Sequence, residues 1–581
     1  MNLSSTIKSI QDIMRKDDGV DGDAQRIGQL TWMLFLKVFD QREEEWEDDA
    51  ADRGKRYRSP IPDHCRWRNW AAFKDGKPQI AASELIDHIN NRLFPELKEL
   101  LVAGDPKAKV VREVFADANN YMKSGTLMLG VIEKLDEAIN FHDFTTRQLL
   151  GDVYEQILND LRSAGNAGEF YTPRTITQFM VQMVNPRLAR RETVLDPACG
   201  TGGFLTAAID HLRGQVSETS SAVDNAAIEK NIRGFEKKQL PHLLCTTNML
   251  LHGIDVPSQI ERMNTLNKGW NDWGLHDRVD CVITNPPFGG MEEDGVGTDY
   301  PSDLRTRETA DMFLSLIVKK LLKDGGRAAI VLPDGTLFGE GVKNKIKELL
   351  LSECNLHTII RLPNGVFSPY TGIKTNLLFF TKGQPTETIW FYEHPYPEGY
   401  KSYSKTKPIR IEEFAAEKEW WGNEADGFST REESLLAWKV DFAARKADAE
   451  ARAKPHWDRA EALKNEATDL GNRVRDLRDS IKGVLDARKR LPVEAKIDEH
   501  QREAEALRQQ SKDAQTAGDR IYWPIYNLDI KNPNAPEAAI NDPDLLLEKY
   551  KRLLTDIDET QEQLKQALAA ALAHHFDEAE D

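Results

Sequence analysis

The chain has 581 residues, of which 40% are hydrophobic and 30% charged, a balance typical of globular domains joined to highly charged helices. This length fits about three or four domains. With 77 Lys and Arg against 95 Asp and Glu, the net charge is −18, so we expect a partner to supply much of any grip on nucleic-acid phosphates.

The same inventory argues against several protein classes. No apolar run approaches the length of a transmembrane helix, and residues 1–15 lack the core of a signal peptide. The five cysteines are scattered without a C-x-x-C pair, which argues against a metal site and a disulfide framework. We therefore expect a protein of the reducing cytoplasm.

The first part of the chain has the periodicity of helices. Ile7, Ile10 and Met14 recur at helical spacing, and a second apolar stripe runs from Leu30 to Phe39. We predict a helical N-terminal domain over residues 1–140. The residues alone leave open whether it is a structural cap or a functional domain.

A second domain is predicted over residues 141–400. It opens with a helical pattern, Phe144–Arg162, followed by a glycine-containing loop. The next six residues are Glu169, Phe170, Tyr171, Thr172, Pro173 and Arg174. Pro173 suits the first turn of the helix that follows. Arg174 has a plain alternative as a surface residue at that helix start.

A glycine loop follows the apolar run 193–195 and precedes another helical pattern. It reads Asp196-Pro197-Ala198-Cys199-Gly200-Thr201-Gly202-Gly203-Phe204. Glycines allow a backbone to approach a ligand closely and leave the N–H groups of a helix start free. The loop lacks the Lys-Ser or Lys-Thr of a P-loop and the full G-x-G-x-x-G dinucleotide pattern. An ordinary tight turn between strand and helix is the alternative.

Glu236 is the next acidic candidate. An acid at the end of a strand can accept both hydroxyls of a ribose, as in Rossmann-like folds. The preceding run, 232–235, is short and shows no clear β-branched strand, so an exposed surface Glu is the alternative. Asn264 has an amide that could bond an adenine edge, but we do not assign it to the site.

A sharper motif, Asn285-Pro286-Pro287-Phe288, follows a strand-like run at 279–284. The prolines stiffen the turn and donate no N–H, which leaves the Asn285 side-chain oxygen and the Pro286 carbonyl as acceptors. This pair suits the two hydrogens of a planar amino group attacking an electrophilic methyl. Phe288 offers a ring on which a base taken out of a duplex can stack. The alternative is a Pro-Pro loop that ends a buried strand.

Further strand patterns lie at 328–332, 357–362, 376–380 and 388–392, with one helix at 342–351. Together with the two earlier strands they predict an α/β fold around a mixed, seven-strand-like sheet. If the strands before the two loops are parallel, both loops meet at the carboxyl edge, where open α/β sheets bind ligands.

The last third of the chain is predicted as a linker, 401–448, and a helical region, 449–581. A seam with coiled-coil spacing contains Leu463, Leu470, Val474, Leu477, Ile481 and Val484, and Leu491-Pro492 is predicted to break it. The final helix carries a second stripe: Leu546, Tyr550, Leu553, Ile557, Leu564 and Leu568. We expect these stripes to pack against other helices.

Taken together, these motifs resemble those of adenine-N6 DNA methyltransferases. Three further segments narrow the resemblance to the modification (HsdM-type) subunit of type I restriction–modification systems: 248–253, 325–333 and 362–376. The resemblance is good over roughly residues 1–385 and covers the remainder only in general design. It implies a Rossmann-like core that depends on S-adenosylmethionine (AdoMet), a helical N-terminal domain that helps close around DNA, and a C-terminal coiled-coil region.

The resemblance also implies roles for residues and partners. The catalytic residues would be Asn285, Pro286, Pro287 and Phe288, with no metal. AdoMet would be bound by Glu169, Phe170, Tyr171, Thr172, Pro173, Arg174, Asp196, Thr201, Gly202, Gly203 and Glu236. The partners would be DNA, one specificity subunit shared by two copies of this chain and, where one exists, a restriction subunit. No membrane is implied.

Two other functions are compatible with parts of the pattern. The Asn285–Phe288 turn could serve guanine-N2 of RNA or a protein glutamine, although the Glu169–Arg174 lead-in and the large N-terminal region argue against both. A non-catalytic scaffold held by its C-terminal helices is the third hypothesis, and the intact Asn285–Phe288 turn argues against it.

Overall fold

A computed structural model describes residues 3–138, 171–217, 221–368, 371–404, 406–535, 547, 550–555 and 557–566. The predicted helix Phe144–Arg162, together with Glu169 and Phe170, lies outside these ranges. Within them, each helix is too short or too polar to cross a lipid bilayer. The chain forms two compact units: residues 1–432 with 439–531, and residues 433–438 with 532–581.

The first unit begins with a group of helices, as predicted. They are α1 (Leu3–Met14), α2 (Asp23–Asp52), α3 (Trp67–Trp70), α4 (Ala82–His88), α5 (Phe94–Lys98), α6 (Pro106–Phe115) and α7 (Gly125–Ala138). Trp32 on α2 is at the centre of their core, with its ring 5.0 Å from Phe94 and 6.4 Å from Phe115. Burial of such large aromatic side chains stabilises the group.

The helices that surround the sheet follow. They are α8 (Arg174–Val184), α9 (Gly203–Arg213), α10 (Ser221–Asn231), α11 (Gln239–Leu251), α12 (Thr309–Leu316), α13 (Asp334–Phe338), α14 (Val342–Glu353) and α15 (Ala415–Trp420). Helix α11 is apolar on most sides. Its Leu243, Leu244 and Leu250 belong to the core of the N-terminal helices, so α11 fixes those helices to the sheet.

One mixed sheet forms the centre of the unit. Its strands are β1 (Val194–Asp196), β2 (Ile232–Glu236), β3 (Ile260–Arg262), β4 (Val279–Thr284), β5 (Leu322–Pro333), β6 (Cys354–Arg361), β7 (Thr375–Lys382), β8 (Thr388–Glu393) and β9 (Ala437–Asp441). Their order is 3-2-1-4-5-7-6-8-9. Strands β1 to β5 pair in parallel, and β7 runs antiparallel to both β5 and β6.

The predicted α/β class with a mixed sheet is confirmed, and the sheet has nine strands rather than about seven. All four strands predicted between 328 and 392 are present. Strand β4 and the end of β5 contain buried apolar runs, which the sequence reveals, because helices cover both faces of this part of the sheet. Strands β2 and β3 contain charged residues and were not evident in the sequence.

The range 401–448, predicted as a linker, instead contributes packed residues. Phe414 is fully buried and stacks on Phe179 of α8 with 4.1 Å between ring centroids. The hydroxyl of Thr175 donates to the Ile409 carbonyl at 3.0 Å. The polar composition of this range conceals a few anchoring aromatic residues, and these hold it on the core.

Two long helices, α16 (Phe442–Ser480) and α17 (Ala487–Tyr522), form the hairpin that the sequence suggested. The predicted break at Leu491-Pro492 is wrong, since Pro492 lies inside α17. The turn falls earlier because Gly483, with φ of +82°, ends one helix and Asp486 caps the next.

The hairpin seam also differs from the predicted one. Leu470 and Val474 are buried, but Leu463, Leu477, Ile481 and Val484 are only partly buried. The remaining buried positions of α16 within the hairpin are alanines: Ala449, Ala453, Ala460 and Ala467. Small side chains let the two helices approach closely, which a search for large apolar residues does not detect.

The second unit contains the predicted last helix. Residues 550–555 and 557–566 are helical. Of the predicted stripe, Tyr550, Leu553, Ile557 and Leu564 have half or more of their surface exposed, between 50% and 71%. Leu546 and Leu568 lie outside the described residues.

Candidate active site

The two predicted loops meet at the carboxyl edge of the parallel strands. Strands β1 and β4 are neighbours, with Val194 opposite Cys281 and Leu195 opposite Val282. This register brings the ends of both strands together, and the Thr284 hydroxyl donates to Asp196 Oδ1 at 2.6 Å. The sheet therefore joins two motifs that lie far apart in the sequence.

The glycine loop is shaped by the helix beneath it. Gly200 and Gly202 have φ of +54° and +85°, a region that disfavours other residues. A Cβ atom on Gly202 would lie 2.8 Å from Cys245 Sγ on α11. The Asn248 amide on the same helix donates to the Thr201 carbonyl at 3.2 Å. Helix α11 thus packs against one side of the glycine loop, and the opposite side is available to a ligand.

Glu236 is the last residue of β2 and reaches across to the glycine loop. Its Oε2 accepts from the Gly200 N–H at 3.0 Å, and its Oε1 accepts from the Lys238 N–H at 2.7 Å. The strand that was not evident in the sequence is present, and it passes so close to α9 that a Cβ atom on Gly234 would lie 2.7 Å from Leu205 Cδ1. The exposed-surface alternative is wrong, since Glu236 is only 8% exposed.

Burial changes the protonation of both carboxyls. Desolvation raises the pKa of Asp196 to about 7, although hydrogen bonds from Thr284 and from the Ala198 N–H oppose the shift. Desolvation also raises the pKa of Glu236. Both shifts arise because a buried carboxylate loses its hydration, and a nearby positive charge would reverse them. A cationic ligand beside Asp196 and Glu236 would therefore lower the pKa values of both carboxyls.

A cavity of about 250 Å³, here called the central cavity, opens between the two loops. Seven of the residues predicted for the site line it: Thr172, Asp196, Thr201, Gly203, Glu236, Asn285 and Pro287. The sequence analysis did not assign several other lining residues, among them Lys238, Met291, Glu292 and Thr309. Thr284, which donates to Asp196, was also not assigned. Its position directly before the Asn285 motif is the one sequence feature that could have indicated it.

Asn285 is the best-defined polar group of the cavity. Its Nδ2 donates to the Thr172 hydroxyl at 3.0 Å, and this bond fixes the orientation of the amide. Its Oδ1 is buried and has no hydrogen-bond partner within the described part of the chain. Leaving a buried acceptor unpaired costs about 1–3 kcal/mol, so a ligand donor is expected there.

The prolines and the aromatic ring extend the site towards solvent. Pro286 is buried, Pro287 is exposed and Phe288 is half-buried. The Phe288 ring meets the buried Phe367 edge to face, with 6.4 Å between centroids. Phe367 belongs to the segment 362–376 that contributed to the resemblance.

Some predicted site residues lie elsewhere. Arg174 begins α8, is 45% exposed at its side chain and lies 4.0 Å from Asp210. Tyr171, Pro173 and Gly202 are buried next to the central cavity but do not line it. Asn264 caps a short turn through the Leu266 N–H at 3.1 Å and donates to Glu292 at 3.3 Å.

Comparison with known proteins decides the family. The model of the N-6 DNA methylase family matches residues 145–461, and that of the HsdM N-terminal domain matches residues 3–135. The chain is 51% identical to the methylase subunit of the type I restriction enzyme EcoEI of Escherichia coli, over 99% of both chains. This chain belongs to the methylase subunits of type I restriction enzymes.

Solved structures agree with this assignment. A type I restriction–modification complex contains a chain that is 31% identical to this methylase subunit, with a TM-score of 0.68 over 97% of this chain and 98% of that one. A modification subunit of a type I restriction enzyme from Vibrio vulnificus YJ016 is 42% identical, with a TM-score of 0.66 over 76% and 92%. The methylase fold thus extends over nearly the whole chain.

Proposed function

We propose that this methylase subunit transfers a methyl group from AdoMet to N6 of adenine in DNA, with Asn285–Phe288 as the catalytic residues. The observation that carries the proposal is the buried, unpartnered Asn285 Oδ1 beside the glycine loop. An amide oxygen in this position is suited to accept a hydrogen bond from an amino group.

AdoMet fits the residues of the central cavity. Its positive charge suits the two buried carboxyls, Asp196 and Glu236, because a cation beside them would offset the desolvation that raises their pKa values. The glycine loop, Thr201 to Gly203, would lie against the amino-acid part, and Glu236 would accept the ribose hydroxyls. When bound, AdoMet supplies an electrophilic methyl group on a sulfonium.

The protein's own part in the transfer is to position the target amine. The amine donates one hydrogen bond to Asn285 Oδ1 and one to the Pro286 carbonyl. These two bonds increase the electron density on the nitrogen. Thr172 keeps the Asn285 amide from rotating, because its hydroxyl accepts from Nδ2. Phe288 stacks on the flipped base and holds it in line for attack. As the nitrogen gains the methyl group it loses one proton, which passes to solvent, so no side chain of unusually high basicity is required.

The division of labour follows from the predicted domains. We assign residues 1–140 to closing around DNA, 141–400 to catalysis and 449–581 to subunit contacts. Sequence recognition is delegated to a specificity subunit, bound by two copies of this chain, and a restriction subunit completes the assembly where one exists. Five free, buried cysteines support the proposal that the chain works in the reducing cytoplasm.

The test is methyl transfer from labelled AdoMet to genomic DNA that lacks adenine methylation. The chain is assayed alone and with its co-encoded specificity subunit, and the product nucleosides are separated. We expect N6-methyladenine only when the specificity subunit is present. Label on RNA or protein instead of DNA would overturn the proposal, and label with the chain alone would refute delegated recognition.

A further inference from the structure

The distal end of the helical hairpin has a charge opposite to that of the chain. This hairpin tip, residues 473–496, comprises the end of α16, the turn and the start of α17. It holds eight Lys and Arg against four Asp and Glu, a net charge of +4 in a chain of net charge −18. All eight basic side chains are exposed: Arg473, Arg475, Arg478, Lys482, Arg488, Lys489, Arg490 and Lys496.

The fold does not use most of these cations. Arg490 pairs with Glu494 at 2.6 Å, one turn along α17. The other seven have no ion pair within the described part of the chain. Nearer the hairpin base, two basic residues, Lys446 and Arg452, pair with acids four residues away. The tip cations are therefore available to an external anionic partner.

Helix stability does not explain the cluster either. Helix α17 begins at Ala487, and its first turn contains Arg488, Lys489 and Arg490 but no acid. Positive side chains at a helix start oppose the helix dipole and cost stability. Asp486 offsets part of this cost by capping, as it accepts from the Arg488 N–H at 3.0 Å.

Two leucines accompany the charges. Leu485 in the turn is 96% exposed, and Leu491 on α17 is 64% exposed. Neither leucine is covered by the described part of the chain, so both add apolar contact area to the tip. The tip therefore combines charge with contact area that the fold itself leaves unused.

The hairpin is long enough to carry the tip well away from its base. Helix α17 has 36 residues, which at 1.5 Å per residue corresponds to about 54 Å. Its base is fixed to α14, where the Tyr522 hydroxyl donates to Glu348 at 2.9 Å. The same length along duplex DNA is about 16 base pairs at 3.4 Å per pair.

We infer that the hairpin tip is a docking surface for the phosphate backbone of duplex DNA that flanks the methylated site. The inference rests on the proposed function in taking DNA as the substrate, and goes beyond it in naming a contact outside the target. Exposed, unpaired Lys and Arg form a sequence-independent contact with phosphates by releasing condensed counterions.

The experiment uses the assembled methyltransferase, the chain with its specificity subunit, and three preparations. The tip variant carries Lys482→Gln, Arg488→Gln and Lys489→Gln. The control carries Lys454→Gln, Arg459→Gln and Lys464→Gln, which removes the same charge from exposed positions closer to the base of the hairpin. Affinity is measured against salt for duplexes with flanks of about 5 and about 25 base pairs around the target.

We expect the tip variant to bind the long duplex about 10–100-fold more weakly than wild type at low salt, with a salt slope smaller by about 2–3. Its affinity for the short duplex and its maximal methylation rate should stay unchanged, and the control should behave as wild type. Equal long-duplex affinity in the tip variant and the control would overturn the inference. So would a loss of subunit association with DNA affinity intact, which would identify an acidic protein as the partner.

Failure of the proposed function is recognised separately. If the assembled wild-type complex binds DNA but transfers no methyl group, the proposed function fails while the tip comparison can still be made. If it methylates and the tip variant binds like wild type, only the tip inference fails. Helicity and melting temperature, measured for all three preparations, verify that the hairpin is folded.

Discussion

The central cavity and the hairpin seam both contain buried residues, but those of the cavity are polar and those of the seam are apolar. The cavity buries the carboxyls of Asp196 and Glu236, which are 1% and 8% exposed, and the unpartnered oxygen of Asn285. The seam buries Ala460, Ala467 and similar small apolar groups. Buried polar groups cost stability and buried apolar groups supply it.

This contrast teaches where function and stability reside in the molecule. Cavity residues are kept although they weaken the fold, so their replacement should change activity more than stability. Seam residues have no polar atom to offer a ligand, so their replacement should change stability first. Each of the following experiments can break or sharpen this division.

The largest effect is expected for Asn285→Ala. Removing the acceptor of the target amine should lower the rate of methyl transfer by about 10²–10³-fold or more. The melting temperature should be unchanged or slightly higher, because an unpaired buried oxygen disappears. Labelled methyl transfer measures the rate and thermal melting measures the stability. Calorimetry verifies that the variant still binds AdoMet.

Asn264→Ala is the matched control for that change. Asn264 also lies beside the cavity, but its oxygen is engaged in capping the Leu266 N–H. Loss of such a cap should cost about 1 kcal/mol of stability and leave methyl transfer nearly intact. Full transfer by Asn285→Ala, or equal losses in both variants, would contradict the assigned role.

The pH dependence of stability tests Asp196 in the AdoMet-free protein. Its folded pKa of about 7 lies above the ordinary value of 3.8 for an aspartate, so the folded state binds the proton more tightly than the unfolded state. Its contribution to stability is therefore fully present below about pH 4 and is lost as the pH rises towards 7. A three-unit shift corresponds to at most about 4 kcal/mol.

Asp196→Asn removes this titration while its side-chain oxygen can still accept from Thr284 and Ala198. The difference in unfolding free energy between wild type and variant, followed by denaturant titration, should grow in favour of the variant from pH 4 to pH 7. A difference that stays constant over this range would show that Asp196 does not titrate there.

Gly202→Ala should have an intermediate effect, because it should change both stability and AdoMet binding. The new methyl group would lie 2.8 Å from Cys245 Sγ, at a φ of +85° that alanine rarely adopts. We expect a loss of about 1–3 kcal/mol in unfolding free energy and weaker AdoMet binding. Melting and calorimetry measure both.

Gly214→Ala provides the reference for that loss. Gly202 precedes helix α9 and Gly214 follows it. Gly214 has a φ of −61°, and a Cβ atom there would lie 3.5 Å from the nearest atom outside its chain neighbours. It should bind AdoMet like wild type. Equal behaviour of the two variants would mean that the glycine loop tolerates a side chain.

Ala467→Leu should have the smallest effect, confined to the hairpin. Ala467 is 1% exposed, and a larger side chain would push the helices apart at a cost of about 1–2 kcal/mol. Hydrogen exchange of α16 and α17 should rise without loss of methyl transfer.

Ala462→Leu, at an exposed position of the same helix, should change neither quantity. A loss of transfer in Ala467→Leu without faster exchange would place the hairpin in the catalytic step.

The sequence predicted which residues line the central cavity more accurately than which residues form the hairpin seam. The Asn285–Phe288 motif and the glycine loop are local patterns, in which residue type and order follow directly from the chemistry. The hairpin seam was predicted from large apolar residues, whereas alanines occupy most of it. The range 401–448 was predicted as a linker, and its packing was not foreseen because Phe414 becomes a core residue only through its contact with Phe179.

The sequence by itself determined the α/β class, the two loops and the family resemblance, because apolar periodicity and motif residues are properties of short segments. Only the tertiary structure decided that Glu236 reaches the Gly200 N–H, that Thr172 orients Asn285 and that Arg174 lies beside Asp210. Those contacts join residues that are up to 113 positions apart. They depend on strand register and helix packing, which no local pattern encodes.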